Sequence, residues 1–290
     1  MIVLPNRAEV IENIKTCAEN GEFNRKVEEG DPVFDKEKRQ KVLARYFRKH
    51  KTPWFKVCNF VARRMLDVIT RVWNRDTEII GMENLKGIKT GAIITSNHFN
   101  PSENTVIRYM AAKRHRRNIS IVSQDTNLGM KGLFGFFTNN IDIIPICANK
   151  SYMENHFGRL IQETLAQKRF ILIYPEQEMW FNYRKPRPGK RGAYYYAAKN
   201  NVPVISCFVE IQELPDMQTE DFHKIEYTLH VLKTIYPDPT KSVRENSVAM
   251  METDYKQKKA AYEEAYGKPL TYEFTPWDIA GWVPEEEREK

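Results

Sequence analysis

The stretch Gly91-Ala92-Ile93-Ile94-Thr95-Ser96-Asn97-His98-Phe99-Asn100-Pro101-Ser102-Glu103 holds an apolar run, a polar corner and a helix start within one short segment. Gly91 to Thr95 reads as a strand, being short, apolar and partly β-branched. Asn100-Pro101-Ser102-Glu103 reads as a helix start, with Asn at the cap, Pro at the first helical position and Glu at the third. A strand that turns directly into a helix is the repeating unit of α/β folds, and the same alternation continues downstream. Ile119 to Val122, Ile141 to Ile146, Phe170 to Tyr174 and Val202 to Val209 are further β-rich runs, separated by stretches of helical length near 102–116, 151–168 and 190–200. Most of these runs are almost continuously apolar, as strands covered on both faces are. The expected fold class is therefore α/β, with a mixed, largely parallel sheet flanked by helices. Ile225 to Tyr236 alternates more clearly and reads as a late strand, expected at an edge. Residues 241–267 read as a charged surface helix, and the Glu-rich end after Pro284 as a frayed terminus.

Upstream of residue 77 the pattern differs. Residues 1–50 look helical or partly ordered, and between Lys36 and Asp76 there are thirteen Lys or Arg against three acids, Glu37, Asp67 and Asp76. The whole chain of 290 residues carries only +7, so its positive charge is concentrated there. Val57, Phe60, Val61, Met65, Val68, Ile69 and Val72 recur at three- and four-residue steps, with Lys56, Arg63 and Arg71 on the other side. Such a helix, with Trp54 and Phe55 at its edge, suits a bilayer interface, where apolar burial adds to attraction for anionic lipid. It also suits docking on a core with a solvated basic face. The expected organisation is a basic amphipathic arm facing a membrane (1–76), an α/β domain (77–240) and a C-terminal helix with a tail packed on it (241–290). Cys17, Cys58, Cys147 and Cys207 are far apart and read as ordinary thiols of a reducing compartment. The first seven residues are too short an apolar run for a signal peptide, and no window approaches the roughly 18 apolar residues of a membrane span. The expected location is cytoplasmic, peripheral on the inner face of the cell membrane.

A histidine directly after a strand sits at the carboxyl edge of the sheet, where open α/β sheets place their ligands. An imidazole, with an unperturbed pKa of roughly 6.5, takes a proton from an attacking hydroxyl near neutral pH. Glu103, five positions on, has two readings. It bonds the other ring nitrogen of His98 and fixes its tautomer, or it serves only as the capping-box acid of the helix start.

The order of motifs around this corner resembles the PlsC-like glycerophospholipid (1-acylglycerol-3-phosphate) acyltransferases. Thr77 to Leu85 resembles that family's lead-in strand and G-x-E-N-L turn. Asn97-His98 through Glu103 resembles its first motif, in the form HX4E. Tyr174-Pro175-Glu176 is similar to its F-P-E-G motif, and Val202-Pro203-Val204-Ile205 to its last. The resemblance implies a glycerol-phosphate acyltransferase-like fold and transfer of a fatty acyl group from acyl-CoA or acyl-ACP to a lysophospholipid hydroxyl. It implies His98 as general base, Glu103 as its orienting acid, and Asn97 and Glu176 at the acceptor site. No cofactor is implied beyond the thioester co-substrate; the implied partners are an anionic membrane surface, a lysolipid and an acyl carrier protein.

Three positions depart from the family pattern. The first-motif acid is usually Asp, so Glu103 adds a methylene. Ile143-Ile144-Pro145-Ile146 is followed by Cys147 in place of an arginine. Glu176 is followed by Gln177-Glu178-Met179 in place of Gly-Thr-Arg. Arg184, Lys185, Arg187, Lys190 and Arg191 lie just beyond and suit phosphate oxygens beside a helix N-terminus. They read equally as a solvated basic turn. In that case the acceptor is a glycolipid or aminolipid hydroxyl, with Glu178 suited to a polar or cationic head group.

The altered motifs also admit a protein of another class, a catalytically weakened lipid-binding scaffold of the same fold. A nucleic-acid partner ranks third, because no recognised module surrounds Tyr46, Phe47, Trp54 and Phe55 in the basic arm. Trp180 and Phe181 read as core in preference to an acyl channel, and Tyr194-Tyr195-Tyr196 spans more than one helix face, so some of it is expected to be buried and some exposed.

Overall fold

The computed structural model describes residues 2–3, 5–28, 30, 32–115 and 118–285. Seven strands form one sheet in the order β1-β7-β6-β2-β5-β3-β4. They are β1 (Glu78–Ile80), β2 (Ala92–Thr95), β3 (Ile119–Gln124), β4 (Ile143–Ile146), β5 (Phe170–Ile173), β6 (Val204–Thr219) and β7 (Phe222–Val231). Neighbours are parallel except β6 and β7, which form a long antiparallel hairpin. The sheet is thus mixed and largely parallel.

The central strands alternate their apolar side chains between two buried faces, which explains their unbroken apolar character. On one face Ile94, Leu172 and Val209 meet Val106, Ile107 and Met110 of α4 (Asn104–Lys113). On the other, Ile93, Ile171 and Val204 meet Ile161 and Leu165 of α7 (Gly158–Ala166) and Tyr194 and Ala197 of α8 (Gly192–Lys199). A short turn, α6 (Lys150–Tyr152), leads through a π-helical turn, Met153–Phe157, into α7. Among the tyrosines of α8, Tyr194 is buried, Tyr196 half-buried and Tyr195 exposed.

Two strand expectations need correction. The run expected to end at Val209 continues to Thr219, because β6 leaves the core and proceeds as a hairpin with mostly exposed side chains. The late strand is not at an edge, since the three-residue β1 pairs outside it. The turn after β1 explains its own sequence: Gly81 has φ +83, and a Cβ there would run into the Val231 carbonyl oxygen. Asn84 Nδ2 donates to that same oxygen at 2.8 Å.

Among the described residues of 1–76 there are three helices with different attachments. In α1 (Arg7–Glu19) Val10, Ile11, Ile14 and Cys17 join a core with Trp180, Phe181, Tyr183 and Ile279, so this end of the segment is part of the domain. The Tyr46 hydroxyl of α2 (Lys36–His50) donates to the Ile143 carbonyl at 2.8 Å. In α3 (Pro53–Trp73) the polar side faces inward: Asn59 Nδ2 donates to the Asn140 carbonyl at 2.6 Å, and Arg63 binds both carboxylate oxygens of Asp142 at 2.6 and 2.7 Å. Its apolar side faces outward, with Val57 51%, Phe60 60%, Val68 61% and Val72 64% exposed. Docking of this apolar face on the core is therefore not what is observed. Beside it lies α5 (Gly132–Asn140), an element the sequence reading missed, with Leu133 and Phe134 also exposed. No helix among the described residues is long and apolar enough to cross a membrane.

At the other end, α9 (Val243–Tyr266) starts at a Ser242/Glu245 capping box and packs on β6 and α8. It carries a buried group in which Asp254 accepts from Thr95 (2.9 Å), Lys258 (2.8 Å) and the Tyr194 hydroxyl. Residues 276–282 then close over the loop that follows β5. Most of the end expected to fray, 286–290, lies outside the described residues.

Candidate active site

Strand β2 ends at Thr95, and the chain leaves the sheet edge through a corner held on three sides. Asn97 continues the ladder to β6 with its side chain: Nδ2 donates to the Val209 carbonyl at 3.0 Å, and the Val209 amide donates to Oδ1 at 2.8 Å. Its amide is thus buried and bonded to the Val209 backbone in both directions, where the expectation had it at the substrate. The carbonyls of His98 and Phe99 accept from the Trp180 and Asn182 amides at 3.0 and 2.8 Å. The His98 amide donates to Glu176 Oε2 at 3.2 Å.

This scaffold fixes the His98 imidazole on two sides. Glu103 Oε1 takes Nδ1, and the Tyr174 ring stacks on the imidazole with centroids 4.1 Å apart and planes 7° apart. Nδ1 is thereby committed to the carboxylate, leaving Nε2 for chemistry on a ring that is 21% exposed. Burial and the adjacent Glu103 carboxylate push the Tyr174 hydroxyl well above its ordinary range, so it stays neutral. In the sequence Tyr174 stands out only as the first residue of the Tyr174-Pro175-Glu176 motif. The available signal was an aromatic placed immediately before Pro175-Glu176.

Both readings of Glu103 are realised at once. While Oε1 meets His98, Oε2 accepts from the backbone amides of Phe99 and Asn100, the second at 2.9 Å. The Asn100 side chain in turn accepts from the Ser102 amide at 3.1 Å. This reproduces a capping box ahead of the regular helix, which begins only at Asn104. The extra methylene of Glu relative to Asp gives the carboxylate reach for the ring and the turn together.

The five loop cations separate into two groups. Arg187 is buried with Glu176: Nε and Nη2 lie 3.0 and 2.8 Å from Oε2, and its amide donates to Oε1 at 2.9 Å. It also donates to the Phe23 carbonyl and lies 4.3 Å over the Trp180 ring. Burial pulls its guanidinium down from the ordinary arginine range, against the opposing pull of Glu176. Buried Arg184 pairs with the exposed Glu213 at 2.6 Å, and Lys185 with Asp278 at 2.7 Å, the second pair buried on both sides. These three, and Glu176 with them, are buried and bonded within the protein, whereas the expectation had them at the acceptor. Lys190 and Arg191 are exposed. The Lys190 amide donates to the Pro175 carbonyl at 2.7 Å, which ties this end of the loop to the residue that follows Tyr174. Glu178, partly exposed, accepts from Gln124 at 3.0 Å. Trp180 and Phe181 are fully buried against α1 and form core.

An imidazole with one open nitrogen and a carboxylate on the other has the geometry of a general base for a bound hydroxyl. Residues 76–210 match the Acyltransferase family. No curated protein sequence matches the chain. Among solved structures it is similar to the 1-acyl-sn-glycerophosphate (LPA) acyltransferase PlsC from Thermotoga maritima, with a TM-score of 0.51 and 15% identity, over 90% of this chain and 97% of that one. Residues 76–210 thus match an acyltransferase domain, and the chain as a whole shares the PlsC fold.

Proposed function

We propose that this chain transfers a fatty acyl group from a thioester donor, acyl-CoA or acyl-ACP, to the hydroxyl of a lysophospholipid or related lipid. The observation that carries this reading is the His98–Glu103 pair. With Nδ1–H held by Glu103, the Nε2 lone pair accepts the proton of the acceptor hydroxyl as its oxygen attacks the thioester carbonyl carbon. The new C–O bond gives a tetrahedral intermediate; its C–S bond then breaks, and the thiolate leaves with the proton returned from Nε2. Glu103 stabilises the imidazolium formed between the two steps. Lys190 and Arg191 are the cations free to hold an acceptor phosphate, and Glu178 suits a polar head group.

The outer face of α3 supports work at a membrane surface. Full burial of each large apolar side chain contributes roughly 1.5–3 kcal/mol. Exposed Lys56, Arg64 and Arg71 on the same helix suit anionic lipid. This helix makes an anionic leaflet a better-supported partner than nucleic acid.

His98→Ala should lower turnover of purified acyl donors and lysolipids by roughly 10²–10⁴-fold while leaving the circular dichroism spectrum unchanged. Turnover equal to wild type would remove His98 as the base. Vesicle binding without acyl consumption by the wild-type chain would favour the lipid-binding scaffold instead.

A further inference from the structure

We propose that the pocket between α3 and α4 is an anion site that binds a phosphate group. The pocket, of about 340 Å³, is lined by Arg63 and Arg64 of α3, Arg108 of α4, and His115 and Asn118 just before β3. His98 follows the carboxyl end of β2, whereas Asn118 precedes the amino end of the parallel-running β3. The pocket's Asn118 side and His98 thus lie at opposite strand ends, while the buried Arg108 guanidinium is close enough to interact electrostatically with Tyr174, which stacks on His98; the inference itself does not depend on the acyl-transfer reading.

Arg108 is the central observation. It is 92% buried by its 8% exposure, its Nε donates to Asn104 Oδ1 at 3.3 Å, and its Nη2 is buried with no hydrogen-bond partner. A guanidinium taken out of water is costly unless an anion meets it. Among the described residues no carboxylate does so here. Asp142 is already held by Arg63, and Arg169 lies 3.0 Å from it. Asp67, which also lines the pocket, faces Arg64 at 3.7 Å. Neither acid forms an ion pair with Arg108. Burial brings the Arg108 guanidinium down to about 10, against the opposing pull of Asp142, Tyr174 and Asp67, none of which bonds it directly.

The neighbouring groups indicate what would complete the pocket. Arg63 spends Nε and Nη2 on Asp142 and keeps Nη1 for another acceptor. Arg64 is exposed and lies 5.2 Å over the Phe60 ring at the mouth. Several guanidinium groups converging from two helices match the oxygens of a phosphate group. Phe60 belongs to the outward apolar face of α3, so a phospholipid head group is one source of that phosphate and free phosphate the other.

The test measures thermal unfolding of the full chain with inorganic phosphate against chloride at matched ionic strength, and with phosphatidylcholine vesicles lacking or containing phosphatidylglycerol. Stabilisation by phosphate identifies a site open to the free ion, and stabilisation by phosphatidylglycerol vesicles alone identifies a head-group site. In either case Arg108→Met should abolish the response, and the anion-free variant should be at least as stable as wild type, since an unpartnered buried charge has been removed. Arg64→Gln, an exposed change that carries the test if the first variant fails to fold, should weaken the apparent affinity for inorganic phosphate by roughly tenfold. A wild-type chain that responds in neither arm, or variants that respond as wild type does, overturns the proposal. Loss of vesicle binding with the phosphate response intact would fail the membrane reading alone.

Discussion

Glu103 and Glu176 approach His98 from two directions, and both are only 2% exposed. Glu103 reaches the ring nitrogen, with the rest of its carboxylate on two backbone amides. Glu176 reaches the backbone amide of the same residue, with the rest of its carboxylate on a guanidinium. The partner, more than the distance from the base, separates their roles. A carboxylate on an imidazole decides which nitrogen carries the proton, whereas a carboxylate on a buried arginine decides whether a loop is held in place. One should be visible in kinetics and the other in stability.

The largest effect is expected from Glu103→Gln. A glutamine offers one acceptor and one donor where the carboxylate offers two acceptors. If its NH₂ faces His98, Nδ1 must become the acceptor, and the proton moves to Nε2, where the base is needed. If its NH₂ faces the turn, it confronts the Phe99 and Asn100 amides donor to donor. Turnover should fall by roughly 10²–10⁴-fold with the secondary structure retained. A variant within a few fold of wild type would reduce Glu103 to a cap.

Next in size is Glu176→Gln, read on a different axis. It leaves the Arg187 guanidinium buried without its counter-charge, a loss of roughly 3–5 kcal/mol for a broken buried pair, which lowers Tm by about 10 °C. At a temperature where the variant is folded, its turnover should stay far above that of Glu103→Gln. Adding Arg187→Met to remove the stranded charge should recover much of the lost Tm. A normal Tm with turnover as low as that of Glu103→Gln would erase the distinction between the two acids.

The same contrast explains what was legible in the sequence. Strands β2 and β5 were readable because Ala92 to Thr95 and Phe170 to Ile173 are apolar on both faces, which a sheet interior requires. The His98–Glu103 spacing was readable because both groups lie on one local corner. The burial of Arg184, Lys185 and Arg187 was not, since their partners Glu213, Asp278 and Glu176 stand 29, 93 and 11 positions away. Five cations in eight residues look alike until the fold supplies acids to three of them. Nor could the direction of α3 be read: its apolar stripe was plain, but Asn59 and Arg63 turn inward only because the Asn140 carbonyl and Asp142 await them.

The smallest effect belongs to the two cations that found no internal acid. Lys190→Ala with Arg191→Ala removes exposed charge from the end of the loop, so Tm should move little. If these side chains hold an acceptor phosphate, KM for a phosphate-bearing lysolipid should rise by about tenfold, the worth of one charge-assisted hydrogen bond, while kcat is nearly unchanged. KM for an uncharged glycolipid acceptor should not move. An unchanged KM for the phosphate-bearing acceptor would mean that the loop, having turned three of its cations inward to carry Glu176 and its neighbours, keeps none for the substrate. The acceptor would then be recognised through groups such as Glu178.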